Sequence, residues 1–151
     1  MNALAQLITT NNILLDIEAS SREELFQFVG QLFEENFGIA SSVVENCLLD
    51  RENLGSTGLG HGLAIPHGRV KNLSDAHLAF IRTRQGIDFK APDQEMVKAF
   101  VVMLVPEQAT QEHLEILSQV AQVLSDNETK ALLFTETNRE NIHQLLTTLK
   151  K

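Results

Sequence analysis

Apolar side chains recur at helical spacing in some stretches of this chain and bunch into short extended runs in others, and the two patterns divide it into elements. Leu4, Leu7 and Ile8 fit a short helix over Ala3 to Ile8, which leads into a strand over Ile13 to Ile17. Ser21 followed by Glu24 is a capping-box pattern, and Leu25, Phe26, Phe28, Val29, Leu32, Phe33 and Phe37 then line one helical face until Gly38 stops it. Ser42 and Glu45 repeat that signature and open a second helix through Val43, Val44, Cys47, Leu48 and Leu49, with Asp50 and Arg51 in its last turn. The glycine-dense segment GSTGLGHGLAIPHGR, Gly55 to Arg69, follows. Pro66 fixes its own φ and biases Ile65 toward extended geometry, so Leu63 to Pro66 is expected to be a strand that delivers His67 at its end.

Beyond the glycine segment, Ala76 to Arg84 and Val97 to Val105 read as two strands at the centre of a sheet, separated by turns over Gly86 to Gln94 and ended by Pro106. From Thr110 the helical pattern returns through His113, Leu114, Leu117, Val120, Ala121 and Leu124, and Asp126 with Asn127 interrupts it. A short helix over Ala131 to Phe134 follows. Thr137 with Glu140 forms a third capping box before the stripe Ile142, Leu145, Leu146 and Leu149. This order predicts an α/β fold in which helices cover a small sheet, in a single domain over residues 1–151.

Charge removes several functions from consideration. The net charge of −8 is a poor match to the phosphate backbone of nucleic acid or to anionic lipid. The one cysteine, Cys47, excludes an internal disulfide and a cysteine-rich zinc site, and its place in the helical pattern predicts packing rather than reactivity. No apolar h-region opens the chain, and no apolar run approaches the roughly 20 residues of a spanning helix, so a cytoplasmic protein without membrane insertion is expected.

The candidate chemistry lies in the glycine segment. Gly55, Gly58, Gly60 and Gly62 precede the apolar run and Gly68 follows His67, a composition that lets backbone approach an oxyanion such as phosphate. A neutral imidazole carries a lone pair on one ring nitrogen, which makes His67 a candidate nucleophile toward phosphorus. A phosphoryl transition state needs positive charge and donors around its equatorial oxygens, and a second imidazole and a guanidinium would meet that need. His113, in the first turn of a helix, and Arg51 are the candidates. By pattern alone packing is the favoured reading of His113, and a helix-terminal cation is an equal alternative for Arg51. Ser56 and Thr57 lack a G-x-S-x-G elbow and are read as hydrogen-bonding groups of the loop or of a bound phosphate. The loop contains no lysine, so it is not a P-loop. His61, His67 and Asp50 or His113 match no zinc spacing, and no metal is expected. His61 reads as exposed, His77 as solvated, and His143 receives no role.

At GSTGLGHGLAIPHGR the chain resembles the enzyme IIA components of the bacterial phosphoenolpyruvate-dependent phosphotransferase system, in the mannitol and fructose class and most closely in its nitrogen-regulatory branch. The likeness extends over LLDRENLGSTG, AIPHG, VVMLVP and the HLEILSQVAQVL helix that carries His113. It implies a mixed sheet of about five strands flanked by helices. It also implies that His67 takes a phosphoryl group from a small histidine phosphocarrier of the HPr type (NPr in the nitrogen branch). His113 and Arg51 would flank that group, and Ser56, Thr57, Gly58 and Gly68 would lie in the loop beside it. No metal, nucleotide or organic cofactor is implied.

Sugar-specific relatives pass the phosphate to a IIB domain, often fused to IIA, and the length here leaves no room for one, so a free-standing regulator is expected. The implied targets are regulatory partners such as potassium-transport and sensor proteins. A sugar-specific IIA that serves a separate IIB, and a non-catalytic interaction module, are the alternative expectations. The chain also ends on Leu149, Lys150 and Lys151 without the longer tail of some relatives.

Overall fold

The computed structural model describes residues 3–108 and 111–148. Thr110, Leu149, Lys150 and Lys151, which figured in the expected helices and terminus, lie outside the described residues. A 3-10 turn over Ala3–Gln6 and another over Thr10–Asn12 lead into β1, Ile13–Ile17, where the sequence pattern puts it. Helices α1, Arg22–Phe37, and α2, Ser41–Leu54, follow. Short strands β2, Gly58–Gly60, β3, Leu63–Ala64, and β4, His67–Val70, precede the long pair β5, His77–Ile87, and β6, Val97–Pro106. Three helices close the chain: α3, Gln111–Ser125, α4, Asn127–Thr135, and α5, Arg139–Thr147.

The helix ends show which local signals governed. Ser21 Oγ accepts the Glu24 N–H as the N-cap of α1, and Gly38 ends that helix at a φ of 71°. At α2 the expected Ser42 cap is not used. The helix starts at Ser41 after Ala40, and the Ser41 N–H donates to Glu34 Oε2 of α1 at 3.0 Å, so a neighbouring helix supplies the acceptor. α4 is longer than the Ala131 to Phe134 expectation because Asp126 caps it, accepting from Thr129 N–H. At α5 the cap is Asn138 rather than Thr137, accepting from Glu140 N–H at 2.8 Å.

The sheet is mixed, with the order β1-β5-β6-β3-β2 and β4 also on β6. β5 and β6 are antiparallel and central, whereas β1 runs parallel to β5. β3 and β4 both run parallel to β6, and the register that sets Leu63 opposite Ala99 also sets His67 opposite Met103. They therefore form one line interrupted at Ile65 and Pro66, so the sheet has six strands on five tracks. His67 begins β4 and does not end the preceding strand, a correction to the expectation. Pro66 has no N–H for the ladder, but its carbonyl accepts Met103 N–H at 2.9 Å and carries the pairing across. β5 likewise runs on through Gly86, expected in a turn, to Ile87, with a register shift after Arg82.

Alternation along β6 divides the core. Ala99, Val101, Met103 and Val105 face a cluster with Ile116, Val120, Leu133 and Ile142 from α3, α4 and α5. Phe100, Val102 and Leu104 face Phe26, Val29, Val44 and Leu48 from α1 and α2. The sheet is thus apolar on both faces and sandwiched by helices, as the pattern predicted. On the edge away from β4, buried Arg82 ties three elements together. Nε and Nη2 donate to Asp16 at the end of β1, and Nη1 donates to the carbonyls of Leu133 and Glu136 at the C-terminal end of α4.

Candidate functional site

The line of β3 and β4 on β6 carries His67 to a surface between α2 and α3. A pocket of about 480 Å³ there is lined by His67, Arg51 and His113, together with Cys47, Asp50 and Leu117. The three residues selected from the sequence thus converge from β4, the last turn of α2 and the first turn of α3. All are half-buried. A second pocket, about 440 Å³, opens on the other side of His67 and Arg51 and includes Ser56, Thr57 and Gly58. Gly68 lines the first pocket, so the expected loop residues divide between the two.

The His67 ring has a defined hydrogen bond. Its Nδ1 lies 2.9 Å from the carbonyl oxygen of Ile65. A carbonyl only accepts, so Nδ1 carries a proton, and in the neutral imidazole the lone pair is on Nε2. Arg51 Nη1 donates to Gly55 O at 2.9 Å, which braces the start of the loop against α2. His77 is not the solvated residue expected, and His143, given no role, makes a structural contact. His77 stacks on Phe37 with ring centroids 4.0 Å apart, and burial lowers its pKa. His143 Nε2 lies 2.9 Å from Ile8 O and so links α5 to the N-terminal segment. His61 is exposed, as expected.

The glycines mainly shape the backbone. Gly60, His61 and Gly62 turn the chain from β2 to β3 with φ of 87°, 57° and 82°. Gly68 lets β4 lie directly on α2, since a Cβ there would stand 2.7 Å from Cys47 Sγ. Cys47 donates its S–H to Val44 O at 3.3 Å, and burial, with the Asp50 charge adding to it, pushes its pKa up to about 11. The thiol therefore stays protonated beside His67, in line with its expected packing role. Ser56 Oγ donates to Phe89 O at 2.6 Å and accepts Gly58 N–H, so its hydroxyl is used within the loop.

Two residues not singled out in the sequence belong here. Arg69, exposed, is a further cationic residue in the lining of the first pocket. Glu52, next to Arg51, is buried and accepts both the N–H and the hydroxyl of Thr57. Its sequence position gave no warning, because a glutamate in the last turn of a helix ordinarily points to water. Among the described residues no three His, Cys, Asp or Glu side chains gather as a metal site would require, and no helix is long and apolar enough to cross a membrane.

This sandwich, with its histidine held between two helix ends, corresponds to a known class. The family model "Phosphoenolpyruvate-dependent sugar phosphotransferase system, EIIA 2" matches residues 6–148, and the chain belongs to that family. It is 33% identical over 148 residues to a nitrogen regulatory protein of Pseudomonas aeruginosa, covering 97% of this chain and 96% of that protein. It is similar in structure to the nitrogen regulatory protein IIA-Ntr from Neisseria meningitidis, with a TM-score of 0.91, 41% identity, and coverage of 97% of this chain and 100% of that one. A fructose-specific EIIA component of Haloferax volcanii is 33% identical over 101 residues, 67% of this chain and 66% of that protein.

Proposed function

We propose that the protein is a phosphohistidine carrier whose Nε2 on His67 accepts a phosphoryl group from an HPr-type histidine phosphocarrier. The observation that carries this reading is the contact between Nδ1 and the Ile65 carbonyl, which leaves Nε2 as the nucleophilic atom. In the transfer the Nε2 lone pair forms the new N–P bond as the donor's P–N bond breaks, and the donor nitrogen keeps that electron pair. The proton stays on Nδ1 throughout, donated to the Ile65 carbonyl. His113 and Arg51, on the walls of the same pocket, would donate to the phosphoryl oxygens, and Arg69 would add positive charge. The reaction needs no nucleotide or metal in this scheme.

The biological role proposed is regulatory, supported by likeness along nearly the whole chain to nitrogen regulatory proteins. Phosphorylation would set roughly two negative charges between α2 and α3, enough to change which protein docks there. Potassium-transport and sensor proteins are the proposed targets. The fructose-specific relative favours a second reading, in which phosphate moves on to a separate IIB protein. The experiment is incubation with phosphoenolpyruvate, enzyme I and an HPr-type carrier. Wild type is expected to form an acid-labile, alkali-stable adduct on Nε2, and His67→Ala to form none; an adduct that persists in the variant sinks the assignment.

A further inference from the structure

Among the described residues Glu52 is the one acidic side chain withdrawn from solvent, at 3% exposed. A buried carboxylate is costly unless donors satisfy it, and both donors here come from one residue. Thr57 N–H donates to Oε2 at 3.2 Å, and Thr57 Oγ1–H donates to Oε1. Thr57 is itself 7% exposed. From there the connection runs on to the nucleophile. Ile65 N–H donates to Thr57 O at 3.1 Å, and Ile65 O accepts His67 Nδ1–H at 2.9 Å. A continuous path of hydrogen bonds and one backbone unit at each step thus links the last turn of α2 to the imidazole.

We infer that Glu52 is a positioning residue for phosphoryl transfer: by holding Thr57 it fixes the Ile65 carbonyl, and that carbonyl holds the His67 proton on Nδ1. This rests on the reading that Nε2 is the attacking atom. If the carbonyl drifts, the ring is free to place its proton on Nε2, and that tautomer has no lone pair there to attack with. Arg51 precedes Glu52 on the same helical turn, so the latch also sets the loop at a fixed height against the guanidinium.

Four variants separate geometry from charge. Glu52→Met removes both acceptors at similar volume, and Thr57→Val removes the hydroxyl at similar shape. Glu52→Gln keeps both contacts, because its amide oxygen accepts the Thr57 N–H while its NH2 donates to a rotated Thr57 hydroxyl. Thr57→Ser also keeps them. The first readout is the His67 tautomer by heteronuclear NMR of the imidazole nitrogens, which requires no phosphate donor. Wild type, Glu52→Gln and Thr57→Ser are expected in the Nδ1–H form; Glu52→Met and Thr57→Val gain the Nε2–H form.

The second readout is transfer from the phosphorylated carrier. The two disruptive variants are expected to lose about 10- to 100-fold in kcat, the scale of a misplaced reacting group, with KM for the carrier nearly unchanged. Each rate is taken per folded molecule, from melting curves under assay conditions. A tautomer ratio unchanged in both Glu52→Met and Thr57→Val overturns the inference. So does a Glu52→Gln that behaves like Glu52→Met, since the effect would then follow charge. Failure here leaves the carrier reading intact as long as His67→Ala blocks phosphorylation; an adduct on His67→Ala would remove that reading while the tautomer result stood on its own.

Discussion

Gly68→Ala measures how closely the helix that carries Arg51 is seated on the strand that carries His67. A Cβ at position 68 would stand 2.7 Å from Cys47 Sγ and 3.2 Å from both the Cys47 carbonyl carbon and Cys47 Cβ. Sulfur can swing aside by rotation about χ1, whereas the carbonyl carbon moves only if α2 moves. Overpacking of this kind costs about 1–3 kcal/mol. Alanine returns about 0.4–1 kcal/mol by restricting the unfolded chain, which leaves a net loss between about 0 and about 2.6 kcal/mol, centred on about 1.3 kcal/mol.

Cys47→Ala removes the nearest atom and should relieve part of that strain. The double variant is therefore expected to be more stable than the sum of the single effects by about 1 kcal/mol. Urea unfolding with an unchanged m-value reads all three differences. Additivity within about 0.5 kcal/mol would refute direct seating of α2 on β4. The same variant should slow phosphoryl transfer, and Cys47→Ala should restore part of the rate, because the helix displaced is the one that holds Arg51.

Arg82→Met is expected to cost about 2–4 kcal/mol in urea unfolding, mostly from two carbonyls at the end of α4 left without their charged donor. The Asp16 side chain is 51% exposed and its pairing adds only about 0–1 kcal/mol, so Asp16→Asn should be mild by comparison. A loss below about 1 kcal/mol for Arg82→Met would contradict the clamp. Burial beside Phe37 lowers the His77 pKa, partly opposed by Asp75, so the folded protein favours neutral imidazole. The unfolded chain then takes up its proton at higher pH, and stability should fall as pH drops through the ordinary histidine value of 6.5. His77→Phe should flatten that slope in unfolding midpoints measured from about pH 5 to 8; a slope unchanged in the variant would assign the pH dependence elsewhere.

Much of the architecture was legible because local and long-range preferences agree. The face from Leu25 to Phe37, its Ser21 cap and its Gly38 stop all describe α1. The misreadings fall where an acceptor arrives from another element or a competing cap wins. Ser42 with Glu45 has the form of a capping box, but Glu34 already supplies the acceptor at that helix start. Thr137 lost to Asn138, whose amide oxygen takes two N–H groups. His67 and His113, which line one pocket, were candidates from the glycine segment and from a helix start, and the family resemblance joined them. Glu52 was not, because burial of a carboxylate depends on a loop folding back over it, and pattern along the chain carries no record of that return.

The continuous register of β3 and β4 along β6 bears on when this site can exist. His67 is paired with Met103, and β6 is held on its other side by β5, so the pocket is assembled from parts far apart in the sequence. Such non-local pairings form late, after the cost of closing long loops has been met. A chain that stops within β6 before Met103 lacks the partner of His67 in the sheet, whatever motif it carries. Assembly of the pocket is thereby coupled to completion of the sheet.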